Sequence, residues 1–93
     1  MITFNEIEKE IAIIEIQKKY FNFGYRYWTQ DEDGQIYVWK NLPNMDFDID
    51  GWYPENENDI SYVNVIEIQI PRPIDWKNSI IDMNKIFNTC NKG

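Results

Sequence analysis

Apolar and polar positions along this chain recur with two different periods, and the switches between them mark the elements. Over residues 3–19, Phe4, Ile7, Ile11 and Ile14 recur at helical spacing, which predicts an α-helix with one apolar face. Thr3 followed by Glu6 has the spacing of a capping box, with Ile2 placed as the staple residue before it. Glu6, Glu8, Glu10 and Glu15 come early and Lys18 and Lys19 close the segment, in the sense that the helix dipole favours. The run IAIIEI within it is rich in β-branched residues, which favour strands, so the helix carries a local conflict.

The period changes to two at residue 21. Phe21, Phe23, Tyr25 and Tyr27 fall on one face of a strand predicted over 21–30, and Asn22, Gly24, Arg26 and Trp28 on the other. Asp31-Glu32-Asp33-Gly34 is a turn signal, and Gln35 to Lys40 reads as the returning strand of a hairpin. Leu42-Pro43-Asn44 breaks the pattern. Met45, Phe47 and Ile49 then alternate with Asp46, Asp48 and Asp50, the mark of a half-buried strand over 45–50 with its acids outward. Ile60 to Ile70 reads as a long strand with Ile60, Tyr62, Ile66, Ile68 and Ile70 on one face, ended by Pro71 and Pro73. Trp76, Ile80, Met83 and Phe87 return to helical spacing behind Asp75 as cap, and NTCNKG reads as a frayed tail. The predicted fold is α+β, with residues 1–93 as one domain. A small antiparallel sheet (hairpin 21–40 plus strand 60–70, with 45–50 as an optional short strand) is covered by N- and C-terminal helices.

Composition adds a source and a compartment to this picture. Sixteen Ile stand against a single Leu, Leu42, and a single Ala, Ala12, while Asn occurs eleven times. Ile and Asn have AT-rich codons, so the usage points to an AT-rich bacterial or viral genome. Aromatic residues make up 16% of the chain and hydrophobic residues 43%, enough for a packed core despite the net charge. The N-terminal stretch mixes charges into its apolar residues, unlike a signal peptide, and no apolar run has the length of a membrane span. A cytoplasmic protein of a bacterial or phage-infected cell is expected.

Charge changes the picture most. The formal net charge is −7. Residues 41–70 contain Asp46, Asp48, Asp50, Glu55, Glu57, Asp59 and Glu67 and neither Lys nor Arg, while the rest of the chain holds nine acids and nine bases. The whole net charge therefore belongs to one window. Such a surface repels nucleic acid and attracts basic proteins or cations.

The chemistry on offer is sparse. The chain has no His, which removes the commonest general base and metal ligand. Ser61 and Ser79 lack a nucleophile context, Cys90 is the only cysteine, and the four glycines form no phosphate loop. No catalytic residues and no enzymatic activity are expected. One motif stands out: Asp46-Phe47-Asp48-Ile49-Asp50-Gly51-Trp52-Tyr53-Pro54-Glu55-Asn56-Glu57 fits the calcium-loop pattern D-x-[DN]-x-[DN]-G-x5-E. Asp46, Asp48, Asp50 and Glu57 would be the ligands. Its flanks are wrong for an EF-hand, because Leu42-Pro43-Asn44 precedes it, a strand pattern follows, and Pro54 and Tyr53 take inner loop positions. No cofactor is expected, with calcium as the lesser alternative.

The stronger expectation is a protein-binding inhibitor that blocks a basic, nucleic-acid-binding partner. Alternate strand residues lie about 6.6 Å apart on one face, so Asp46, Asp48 and Asp50 in a strand would present carboxylates in a row that echoes a nucleic-acid backbone. Glu55, Glu57 and Asp59 extend the row, and Trp52 and Tyr53 are candidate aromatic anchors. As a profile, small size, acidity, AT-rich usage and missing catalytic groups resemble phage-encoded inhibitors of host defence nucleases, anti-CRISPR proteins among them. The resemblance covers no motif. An immunity or antitoxin-type protein that neutralises a basic toxin would share the same logic.

Overall fold

A computed structural model describes residues 6–46, 48, 50–71 and 75–87, with side chains from residue 8 onward. Ile2, Thr3 and Phe4, the inward residues Phe47 and Ile49, Pro73 and the tail with Cys90 lie outside what is described, as do the side chains of Glu6 and Ile7, and with them the proposed N-terminal cap and staple. The elements are helix α1 (Glu6–Asn22), strands β1 (Tyr27–Gln30), β2 (Ile36–Trp39), β3 (Pro43–Asp46), β4 (Gly51–Pro54) and β5 (Tyr62–Val65), a 3-10 turn (Trp76–Asn78), β6 (Ile81–Asp82) and α2 (Asn84–Phe87). Four strands form one antiparallel sheet in the order β5-β2-β1-β6, and β3 and β4 form a separate hairpin.

The sheet buries both faces, and the side-chain alternation of its strands sorts residues between two cores. On one face Trp28, Ile36, Val38 and Val65 meet Met83, with Ile13, Ile16, Tyr20 and Phe21 of α1 and Phe87 of α2 packed against them. On the other face Trp39 meets Trp52 of β4 and Trp76 of the 3-10 turn, bordered by Tyr27, Tyr37, Tyr62 and Ile80. The register accounts for the sorting: Trp28 lies opposite Val38, and Tyr27 opposite Trp39. The second core is almost wholly aromatic. Trp39 stacks on Tyr62 with ring centroids 4.6 Å apart, and Trp52 meets Trp76 edge-on at 6.1 Å. The indole N–H of Trp39 donates to Oγ1 of fully buried Thr29 at 2.9 Å, which satisfies a donor that burial would otherwise strand.

Several sequence expectations are corrected here. Helix α1 runs through Phe21 and Asn22, which alternation had assigned to a strand, and the chain turns at Gly24 (φ +105°) before β1 starts at Tyr27. Its buried stripe is Ile13, Ile16, Gln17, Tyr20 and Phe21, while Ile11 and Ile14, expected on the core face, are about half exposed. The run IAIIEI offers isoleucine on every side, so isoleucine spacing alone does not choose a face; Tyr20 and Phe21, at the end of the helix, do.

The strand expected over 60–70 shrinks to β5, leaving Ile66 through Pro71 without regular structure, although Ile68 and Ile70 still reach the first core. The strand expected over 45–50 becomes β3, which ends at Asp46, and Met45 is exposed where the alternation pointed it inward. The C-terminal helix is replaced by the 3-10 turn, β6 and a single turn, α2. Ser79 explains the break. Its Oγ accepts from Gln30 N (2.9 Å) and donates to Gln30 O (3.0 Å), fastening the chain to the edge of β1. Ile81 and Asp82 then pair with Trp28 and Tyr27, where a β-branched residue fits better than in a helix. Asp75 makes no capping bond to the backbone; its Oδ2 accepts instead from Asn78 Nδ2. Of the two covering helices expected, α1 supplies a packed stripe and α2 only Phe87.

Candidate functional site

The acidic window folds into the β3–β4 hairpin and the turns after it. Pro43 lies opposite Pro54, Asn44 opposite Tyr53, Met45 opposite Trp52 and Asp46 opposite Gly51, which places Asp48 and Asp50 at the tip. Asp46 Oδ1 accepts the backbone N–H of Asp48 at 2.9 Å, the local turn that aspartate side chains favour. Asp50 takes a left-handed backbone (φ +51°), a conformation that Asp tolerates better than most residues. Asp46, Asp48 and Asp50 therefore do not stand in a strand row. They crowd around a turn, with Asp48 and Asp50 exposed.

The remaining predicted residues divide by burial. Trp52 is 8% exposed and belongs to the second core, so it holds the hairpin against the sheet from inside. Its indole N–H is buried and unpaired. Tyr53, on the opposite face of β4, is 37% exposed. Glu55 is exposed and accepts from Asn44 Nδ2 at 2.6 Å, across the hairpin. Glu57 is exposed beyond the end of β4. Asp59 accepts from Ser61 N (2.8 Å), from Ser61 Oγ and from Asn41 Nδ2 (2.8 Å), and these bonds hold its carboxyl below the usual range. The seventh acid of the window, Glu67, is drawn away: Lys19 Nζ lies 2.5 Å from it and Tyr20 Oη donates to it at 2.8 Å. Lys19 first and Tyr20 after it lower the Glu67 pKa, while burial first and Glu67 after it push the Tyr20 phenol up to about 12.

The structure adds acids that the window did not include. The β1–β2 turn, Asp31-Glu32-Asp33, docks onto the start of β4. Trp52 N donates to Asp31 Oδ1 at 3.1 Å, and Glu32 N donates to Asp50 O at 3.1 Å. Glycine at position 51 suits this contact, because a Cβ there would stand 2.9 Å from Asp31 Oδ2 and push the carboxylate aside. Glu32 and Asp33 are exposed, and Glu32, through its bond to Asp50 O, brings an acid from a distant segment against the hairpin. This contact joins residues about twenty positions apart, which no local pattern encodes. Asp31 itself is half-buried, and burial raises its carboxyl to about 6, opposed by the Trp52 N–H and reinforced by Asp33.

The calcium motif takes a different shape from a helix–loop–helix site. Its first position ends β3, its sixth and seventh positions begin β4, and its twelfth lies past the strand. Among the described residues, no group of three or more acids or cysteines stands close enough to hold a metal ion. Among the same residues, no helix is long and apolar enough to cross a membrane. No family model matches the chain, and neither a curated protein nor a solved structure does.

Proposed function

We propose that the protein is an acidic binding inhibitor whose β3–β4 hairpin tip occupies a basic, nucleic-acid-binding groove on another protein. The observation that carries this reading is the docking of the β1–β2 turn on the acidic hairpin, where Trp52 N donates to Asp31 Oδ1 and Glu32 N to Asp50 O, with Asp46 and Asp48 joined in the same hairpin turn. Carboxylates fixed on a rigid projection lose less entropy on docking than the same charges on a free chain. A groove lined by Lys and Arg for phosphates offers them complementary potential. Tyr53, Glu55, Glu57 and Asp59 extend the contact along one side of the hairpin, and Trp52 acts as its internal support. Asp46, Asp48 and Asp50 then present their charge from a hairpin turn and not from a strand-spaced row, so they mimic the local charge of phosphates and not their repeat.

The test is capture from a bacterial lysate by the immobilised parent and by an Asp46/Asp48/Asp50→Asn variant. Asn keeps the side-chain acceptor of residue 46 and tolerates the left-handed backbone of residue 50, so the variant changes charge and little else. A nucleic-acid-binding protein held by the parent and missing from the variant supports the proposal. Identical captured sets from both proteins would end it.

A further inference from the structure

The four-stranded sheet ends at β5, and the backbone groups on its outer side have no strand beside them among the described residues. Which groups these are follows from the ladder. Asp31 N donates to Gln35 O at 2.8 Å and Lys40 N to Ser61 O at 3.1 Å, each continuing the register of its strand pair. Bonding pairs alternate along an antiparallel ladder. Ser61, Val63 and Val65 therefore turn their N–H and C=O groups toward β2, and Tyr62 and Asn64 turn theirs outward. Ile60 and Ile66 continue the outward set on either side.

This edge lacks the usual guards. Residues 60–66 read Ile-Ser-Tyr-Val-Asn-Val-Ile, with no Lys, no other charge and no Pro. Ile60 is 85% exposed and Ile66 80%, the highest among the large apolar side chains described. They also sit three residues to either side of Val63. An antiparallel strand of the same sequence, related by a two-fold axis at Val63, would set Ile60 opposite Ile66 of the second copy at both ends. Tyr62 would then lie opposite Asn64, with their outward backbone groups exchanging bonds. An axis at Tyr62 or Asn64 keeps the backbone bonds but loses the Ile–Ile match.

We infer that β5 is a homodimer interface, pairing antiparallel with β5 of a second copy about Val63 to make one continuous eight-stranded sheet. The flanking acids do not oppose it. Asp59 would face Glu67 of the other copy, but Glu67 arrives paired with Lys19, and Asp59 is already engaged by Ser61 and Asn41. Because the two-fold axis is perpendicular to the sheet, both β3–β4 hairpins project from the same face of the dimer. The pairing itself involves none of the hairpin's residues. So short an edge buries less than the ~1,200 Å² at the lower end of standard interfaces, which places the equilibrium at the weak, concentration-dependent end.

Sedimentation velocity over a concentration series tests the dimer, and cysteine cross-linking tests its register. The parent should pass from monomer to dimer with rising concentration. An Ile60→Lys/Ile66→Lys variant, checked for its fold by circular dichroism, should dissociate at least tenfold more readily. Val63 would meet its own copy as a non-bonded pair, with Cα atoms about 4.5 Å apart, within disulfide reach. Val63→Cys in a Cys90→Ser background should therefore form a covalent dimer under mild oxidation, faster than Asn22→Cys at the exposed end of α1. Three results would each overturn the inference: a parent that stays monomeric throughout, a double variant that associates like the parent, or cross-linking at position 63 no faster than at position 22.

Discussion

Asp31 sits where the two halves of the acidic surface join, and its protonation links the surface to stability. Burial raises its carboxyl to about 6 from an ordinary 3.8, so the folded state holds this proton more tightly than the unfolded chain. The stabilisation from protonation is fully present below the unfolded value and is lost as pH rises through about 6. Asp31→Asn keeps an acceptor for Trp52 N–H without the buried charge. It should be more stable than the parent at neutral pH by about 1 kcal/mol, after solvent screening of a half-exposed carboxylate. Near pH 4 the difference should shrink toward zero, and thermal melts of both proteins at the two pH values measure it. Gly51→Ala probes the same contact sterically. Its Cβ would meet the Asp31 carboxylate at 2.9–3.2 Å, so the turn must shift, with an expected loss of about 1–2 kcal/mol in denaturant unfolding.

At the scale of elements, the β3–β4 hairpin stands apart from the four-stranded sheet and is joined to it by Trp52 packed against Trp39 and Trp76. Trp52→Ala should cost about 3 kcal/mol and open the hairpin amides to hydrogen exchange before those of β1 and β2. Equal exposure of all four strands would show that the hairpin is not separately hinged on this residue. Calorimetry with calcium tests the lesser reading of the motif: with Asp46 ending β3 and Gly51 beginning β4, the expected result is no binding heat. The turn and returning strand of the β1–β2 hairpin were legible from Asp-Glu-Asp-Gly and the residues after it, while the alternation overran the first strand, which begins only at Tyr27. The region after Trp76 was not. Trp76, Ile80, Met83 and Phe87 fit helical spacing, but a pair of bonds from Ser79 to Gln30, 49 positions away, fixes the chain as an edge strand. The acids of residues 41–70 could be counted from sequence. That Asp31 and Glu32 would join them could not, since the joining bonds are tertiary.

For the whole molecule, the sheet works as a partition. One face is closed by α1 and a mixed aliphatic and aromatic core, and the other by an almost wholly aromatic core beneath the acidic hairpin. With a net charge of −7, association with a basic partner should weaken as salt rises, because exposed charges are screened. Pairing through the uncharged β5 edge should not weaken in this way, so salt separates the two modes of association. The most direct measurement of the central proposal is retention of the captured partner on the immobilised protein while nucleic acid is titrated in. Graded release is expected, down to the level of the Asp46/Asp48/Asp50→Asn variant, as nucleic acid reclaims its groove. Retention that stays unchanged at saturating nucleic acid would contradict it.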